Sequence, residues 1–298
     1  MGSKNKIAEW VVSHLPRAEH FYDLFAGGCA ISHCAILSRK WKKVHVNDIN
    51  SVMPSLFIDA INGKFKDETR WISHDEFFRL RRTGDAYVDI CFSFGSRYGN
   101  TYAYSKDLEP VKKAIHYAVF FKDYSLMRDI ADIDFSALDN IDDYYCRYTL
   151  LRKMLSNNIA LESFVRLIRI QSIERLNRMN SISEMDKEWV HDMLDVTSVS
   201  YDEVDIKPNS VIYADIPYRN TGTYDRQKFD YDKFYDWASK QIHPLFISEY
   251  NMPEDRFVCI AEKNKRCCMA ANSNSQMNVE RIFVPKHQFK HHKQLKLF

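Results

Sequence analysis

The chain has 298 residues, enough for one large domain or for a core carrying a sizeable insertion, and its 45% hydrophobic and 28% charged residues exclude a disordered or fibrous protein. A formal net charge of +2 gives no bulk nucleic-acid signature, so any basic surface has to be local. No apolar run approaches the roughly 20 residues of a membrane span, the N-terminus shows no signal segment, and seven irregularly spaced cysteines argue against a disulfide framework; a cytoplasmic protein with no membrane partner is expected.

Residues 6–15 place Ile7, Trp10, Val11 and Leu15 at helical spacing ahead of Pro16. The run over 21–25 predicts a strand, broken by Ala26, Gly27 and Gly28 before a helical pattern over 29–39. A second apolar run, 44–46, ends in Asn47 and Asp48 and is followed by a helix over 52–61. Two strand-then-helix units in succession argue for a parallel sheet with helices on its faces. From 63 to 196 the alternation stops and Arg, Tyr and Phe become frequent, which predicts an inserted segment. Within it, 87–94 and 101–104 flank Gly95 and Gly99 and read as a hairpin, while 108–121 and 144–176 read as helical. Strands return at 211–214, 245–248, 256–261 and 281–284, with a helix over 231–240, so residues 1–62 and 197–298 are expected to form one sheet domain around the insertion.

Three places in this plan carry chemistry. VIYADIPYRN delivers Asp215, Ile216, Pro217 and Tyr218 at the C-terminal end of a strand, where ligands of open α/β sheets bind. Standing alone, that tetrapeptide is also an ordinary strand end and turn. DLFAGG (23–28) puts a glycine turn between the first strand and its helix, where backbone can approach a ligand closely; a plain strand-to-helix connection reads the same way. Asp48, about 25 residues downstream of that turn's start, stands where a carboxylate meets ribose hydroxyls in nucleoside-binding sheets, and equally where a helix takes its N-cap.

Four pieces, GSK (2–4), DLFAGG, VNDIN (46–50) and DIPY after a long insertion, stand in an order that resembles the Dam-like, alpha-group adenine-N6 DNA methyltransferases, particularly phage-type members of the D12 class. SFGSRYG with TYAYS, FISEYNMP and VERIFV add to the resemblance, which covers most of the chain outside the insertion. It implies a Rossmann-like sheet that binds S-adenosylmethionine and releases S-adenosylhomocysteine, without a metal, and an inserted, mainly helical target recognition domain over 63–196. It further implies double-stranded DNA as partner and a bacterial or phage setting, with or without a paired restriction enzyme. By position, Lys4, Asp23, Phe25, Ala26, Gly27, Asp48, Tyr201 and Asp215 would bind the cofactor.

The adenine amine is a poor nucleophile because its lone pair is delocalised into the ring. Asp215 can accept one N6 hydrogen and the Ile216 carbonyl the other, since proline at 217 holds the preceding residue extended. Tyr218 can stack on a base flipped out of the duplex, which makes catalysis a matter of positioning and electrostatics. The chain departs from the family at three places: Cys29 stands where a glycine is usual, Ile216 where proline is commoner, and Ser200 where an acidic residue usually precedes the aromatic at Tyr201.

For DNA contact, Arg97, Asn100 and Tyr102 in the expected hairpin suit base edges, and Arg147, Arg152, Arg166, Arg169, Arg175 and Arg178 in the expected helices suit phosphates. The basic tail over 286–296 is either a further phosphate contact or a solvated terminus. Cytosine-N4 methylation is the neighbouring chemistry, although Ser is commoner there at the position of Asp215; RNA methylation and a catalytically weak DNA-binding protein are the other readings. Cytosine-C5 methylation needs a cysteine nucleophile, usually after proline, and the chain has no Pro-Cys dipeptide. Neither GxSxG nor a phosphate loop nor GxGxxG occurs, which leaves hydrolase, NTPase and dehydrogenase readings without support.

Overall fold

The computed structural model describes residues 4–94, 99–157, 168–218, 229–266 and 277–289. They fall into two compact units, one of residues 59–185 and one of residues 2–58 with 186–298.

The second unit is built on a seven-stranded sheet. After a 3-10 turn at Lys4–Lys6 and helix α1 (Ala8–His14), strand β1 (His20–Asp23) leads into α2 (Ala30–Ser38), β2 (Lys43–Asn47) and α3 (Val52–Ile61), within which the unit boundary falls. Following the other unit come α10 (Lys187–Met193), β3 (Leu194–Thr197), β4 (Ser210–Asp215), α11 (Tyr231–Ser239), β5 (Leu245–Glu249), β6 (Phe257–Arg266) and β7 (Met277–Pro285). Strand order is β3-β2-β1-β4-β5-β7-β6. The first five are parallel, with Phe21 opposite both Val44 and Val211, and β7 runs antiparallel between β5 and β6. This is the Rossmann-like methyltransferase sheet that the resemblance implied.

Burial explains why these residues are strands. A parallel strand covered on both faces reads as continuous apolar sequence, and in β4 Val211, Ile212, Tyr213 and Ala214 are all buried. Helix α11 packs Phe234, Tyr235 and Ala238 into a cluster with Ile212, Ala214, Ile216, Leu245 and Ile247. β3 had no such signal: it is a four-residue strand with only Leu194 buried, and it lies against β2 because Leu194 and Val196 register with Val44 and Val46. The sheet therefore takes in residues 194–196, which the sequence reading had assigned to the insertion.

The decisive property of the sheet is its switch point. Strand order reverses between β1 and β4, so their C-terminal ends open a crevice in which Asp23 and Asp215 both stand. The antiparallel β7 also returns to this edge, with Arg281 opposite Glu249 at the end of β5.

The other described unit contains α4 (His74–Leu80), α5 (Ala86–Cys91), α6 (Glu109–Phe121), α7 (Ser125–Arg128), α8 (Tyr144–Asn157) and α9 (Gln171–Ile182). Helix α4 starts at a capping box, Ser73 with Glu76. Aromatic side chains fill its core: Trp71 stacks on Tyr104 and meets Phe92 and His116 edge-on. The expected hairpin is corrected. Asp85 caps Val88 and starts a helix whose Tyr87, Val88 and Cys91 are buried, and the antiparallel pairing seen among the described residues is confined to 92–94 with 101–103, a bridge at Ser93 and Tyr102 flanked by the Phe94 and Ala103 amides donating to the Thr101 and Phe92 carbonyls. The helical reading of 144–176 is corrected at Ile170, which is extended and separates α8 from α9. Among the described residues no helix is long and apolar enough to cross a membrane.

Candidate active site

After β1 the chain turns sharply. Gly27 has φ +47 and a Cβ there would meet nothing within 4 Å, so this side of the turn is open. Cys29 follows with φ 54, a left-handed conformation that favours glycine and accounts for the family preference at this position. The Ala26 amide donates to the Asn47 carbonyl at 2.9 Å, and the Gly27 amide donates to Asp48 Oδ2 at 2.7 Å. Asp48 Oδ1 accepts from the Asn50 amide at 2.9 Å. The two turns after β1 and β2 are thus tied together.

Asp23 is buried. Its Oδ2 accepts the Ser32 hydroxyl at 2.6 Å, while Oδ1 has no hydrogen-bond partner among the described residues. Burial, joined by the charges of Asp215 and Asp48 and opposed by Ser32, pushes its pKa up to about 7. Burial also raises the Asp48 carboxyl, against the Asn50 and Gly27 amides. Asp48 and Asp215 thus stand close enough to Asp23 for their charges to act on it, which makes this end of the sheet locally acidic. Beside them, Phe25 stacks on Tyr201 at 5.4 Å and meets Phe229 and Phe234 edge-on, an aromatic wall for a flat ring. At the departure before it, the Ser200 hydroxyl bonds to Asp202, which pairs with Lys233 at 2.7 Å.

Asp215 ends β4 with its side chain 23% exposed. Lys4, buried, places Nζ 3.2 Å from Asp215 Oδ1 and bonds as well to Glu280 Oε1 and the Tyr218 hydroxyl. Burial opposes the Lys4 ammonium, but Asp215 and Glu280 outweigh it and hold the pKa above the ordinary lysine range. The Tyr218 hydroxyl donates to the same Glu280 oxygen, and its ring meets Tyr250 edge-on at 4.5 Å. Burial, then Asp215 and Glu280, pushes the Tyr218 phenol well above its usual value. Ile216 is buried, and the Pro217 carbonyl accepts the Tyr231 hydroxyl at 2.9 Å, so the turn after β4 is fixed at each step. Under the central strands, Tyr213 and Ser248 join hydroxyls at 2.7 Å.

The structure thus brings Lys4, Asp215 and Tyr218 together and links Asp23, Gly27 and Asp48. Sequence reading gave no role to Glu280, Tyr231 or Tyr250, although Tyr250 lies in FISEYNMP and Glu280 in VERIFV. Among the proposed DNA contacts three are corrected. Arg147 is buried and donates to the carbonyls of Val119, Ile141 and Asp142, and Tyr102 is buried with its hydroxyl on the Ile72 carbonyl at 2.7 Å; both are structural. Arg175 is likewise consumed by the carbonyls of Ile90, Cys91 and Ser93. Arg152 and Arg169 pair with Glu174. Asn100 and Arg178 are exposed, whereas Arg97, Arg166 and most of the basic tail lie outside the described residues. Arg81, unremarked in the sequence, lies over the exposed Phe78 ring at 4.5 Å and donates to the Asn100 carbonyl at 2.7 Å. No group of three His, Cys, Asp or Glu side chains that could hold a metal is present among the described residues.

A parallel sheet with carboxylates at its switch point, a glycine turn after its first strand and Asp-Ile-Pro-Tyr after its fourth defines a Rossmann-like methyltransferase domain. Residues 1–246 match the D12 class N6 adenine-specific DNA methyltransferases, and the chain belongs to that family. It is accordingly an enzyme that methylates adenine N6 in DNA, with S-adenosylmethionine as the donor the family implies. No curated protein matches the chain. Among solved structures, an rRNA methyltransferase, AviRa from Streptomyces viridochromogenes, is similar at 10% identity over 96% of this chain and 86% of that one, with a TM-score of 0.31.

Proposed function

We propose that this enzyme reads a specific sequence in double-stranded DNA inside the cell, takes one adenine out of the stack and methylates its exocyclic amine. The observation that carries the reading is Asp215, set at the switch-point end of β4 with Lys4 against one oxygen and Ile216-Pro217-Tyr218 following. Asp215 and the Ile216 carbonyl each accept one N6 hydrogen, which localises the amine lone pair. Tyr218, held through its hydroxyl, stacks on the base and sets its plane. When bound, S-adenosylmethionine supplies the methyl group on a sulfonium and departs as S-adenosylhomocysteine. The amine nitrogen then carries three bonds to hydrogen or carbon beyond its ring bond and a positive charge, which it sheds by giving up a proton beside Asp215.

The cofactor fits the first half of the site on chemical grounds. Its ammonium and sulfonium charges answer Asp23, Asp48 and Asp215, its ribose hydroxyls suit Asp48, and Phe25 with Tyr201 offer a face for its adenine. Residues 59–185 would read the DNA, with the half-buried Arg81 beside exposed Phe78 and Asn100 as a partly basic patch suited to the duplex.

The test is methylation of unmodified DNA with S-adenosylmethionine, digestion to nucleosides and mass spectrometry. N6-methyladenine should form with the native protein and fall by at least about 10²- to 10³-fold in Asp215→Ala. Undiminished methylation in that variant refutes the assignment of Asp215.

A further inference from the structure

We propose that Glu280 is a positioning residue for methyl transfer, acting through Lys4 to keep Asp215 a strong hydrogen-bond acceptor while its oxygen also anchors Tyr218. The inference rests on the reading of Asp215 as the N6 hydrogen acceptor.

The argument starts from the strand. β7 runs antiparallel to β5, so a residue far along the chain returns to the edge where the parallel strands end. Glu280 sits there, 1% exposed, next to the Arg281–Glu249 register pair. A buried carboxylate is costly, and an ion pair taken out of water adds little net stability, so stability alone is a weak reason for one. Glu280 meets two residues of the site at once, the Lys4 ammonium and the Tyr218 hydroxyl.

Lys4 in turn reaches Asp215 at 3.2 Å. One ammonium therefore faces two carboxylates, and the formal charge of the trio is −1. With Glu280 neutralised, the ammonium belongs to Asp215 alone. A carboxylate paired that tightly accepts less well from an amine, and the acceptor strength is needed as charge develops on N6. The same Glu280 oxygen holds the Tyr218 hydroxyl, fixing the ring that is to align the base.

The test uses full-length Glu280→Gln, Glu280→Asp, Lys4→Met, the pair Lys4→Met/Glu280→Gln, and Asp215→Ala as reference. Single-turnover methylation at saturating DNA and donor is measured with its pH profile, alongside S-adenosylhomocysteine affinity and thermal melting. Glu280→Gln should slow the single-turnover step by about 10- to 100-fold, with product affinity changed less than about twofold and the acid limb of the profile displaced. Glu280→Asp should recover part of the rate. Because the carboxylate acts through Lys4, adding Glu280→Gln to Lys4→Met should cost at least about threefold less than it does in the native background. That pair removes an ammonium and a carboxylate together, so it carries the test even if Glu280→Gln folds poorly. Independent, multiplying effects of the two changes would overturn the proposal, as would a native rate in Glu280→Gln. If Asp215→Ala is inactive while Glu280→Gln is native, only the role of Glu280 fails; if Asp215→Ala is active, the reading of the site fails with it.

Discussion

Asp23→Asn is expected to remove a large pH dependence from the stability of the protein. Burial, with Asp215 and Asp48 nearby, moves the Asp23 carboxyl from 3.8 to about 7. A raised carboxyl means that the folded state holds its proton more tightly than the unfolded state. Folding is therefore opposed as pH rises through the window from about 4 to about 7, and the loss is complete above it. A displacement from 3.8 to about 7 is worth about 4 kcal/mol over the full window, the larger part of which falls between pH 5 and pH 8.5. Urea unfolding of both proteins across that range should show the asparagine variant gaining on the native protein by this amount. A constant difference between the two would refute the reasoning, because it would mean that Asp23 titrates alike in both states. The same carboxyl should release a proton when a cationic ligand binds beside it, because a positive charge nearby favours the carboxylate. Calorimetry of S-adenosylhomocysteine binding near pH 6.5, in two buffers of different ionisation enthalpy, should detect that proton in the native protein and not in the variant.

Two further outcomes concern residues 59–185. Arg81→Ala should weaken DNA binding about equally for all sequences and lower the slope of log affinity against log salt by about 1, measured by fluorescence anisotropy; an unchanged slope would remove Arg81 from the phosphate contacts. Gly99→Ala should cost about 1–3 kcal/mol, since Gly99 has φ +55 and the new Cβ would lie 2.6 Å from Asp89 Oδ1, on a buried carboxylate that also accepts the Arg82 amide. Hydrogen exchange over residues 80–104 should rise with it, and native exchange there would sink the idea.

The parts of the site that follow short motifs were readable in the sequence, because a strand that ends in Asp or Asn beside a glycine or proline turn announces both its own end and the ligand edge. Asp23 and Asp215 belong to this class, and Asp48 directly follows the asparagine that ends β2. Glu280 does not: it sits inside a nine-residue strand, and its place depends on β7 pairing with β5, a register that no local pattern specifies. The helix at Ala86–Cys91 was taken for a strand because its buried Tyr87, Val88 and Cys91 are short-range neighbours in either reading, and the Asp85 cap that decides the matter resembles a turn residue. Arginine was the least legible residue type. Arg147 and Arg175 carry the same charge as Arg81, yet they close off carbonyls in the interior, and only burial separates a structural guanidinium from one that can meet a phosphate.

Lys4 and Glu280 are 276 residues apart in sequence, and they meet at the reacting end of the sheet. During synthesis the early strands, the glycine turn and even Asp215 emerge from the ribosome well before β7 does. A nascent or prematurely released chain can hold much of the fold while its Lys4 still lacks one of its two carboxylates. Lys4 gains its second carboxylate only once β7 has paired with β5 and β6, so the charge balance at this end of the sheet depends on a pairing of high sequence separation.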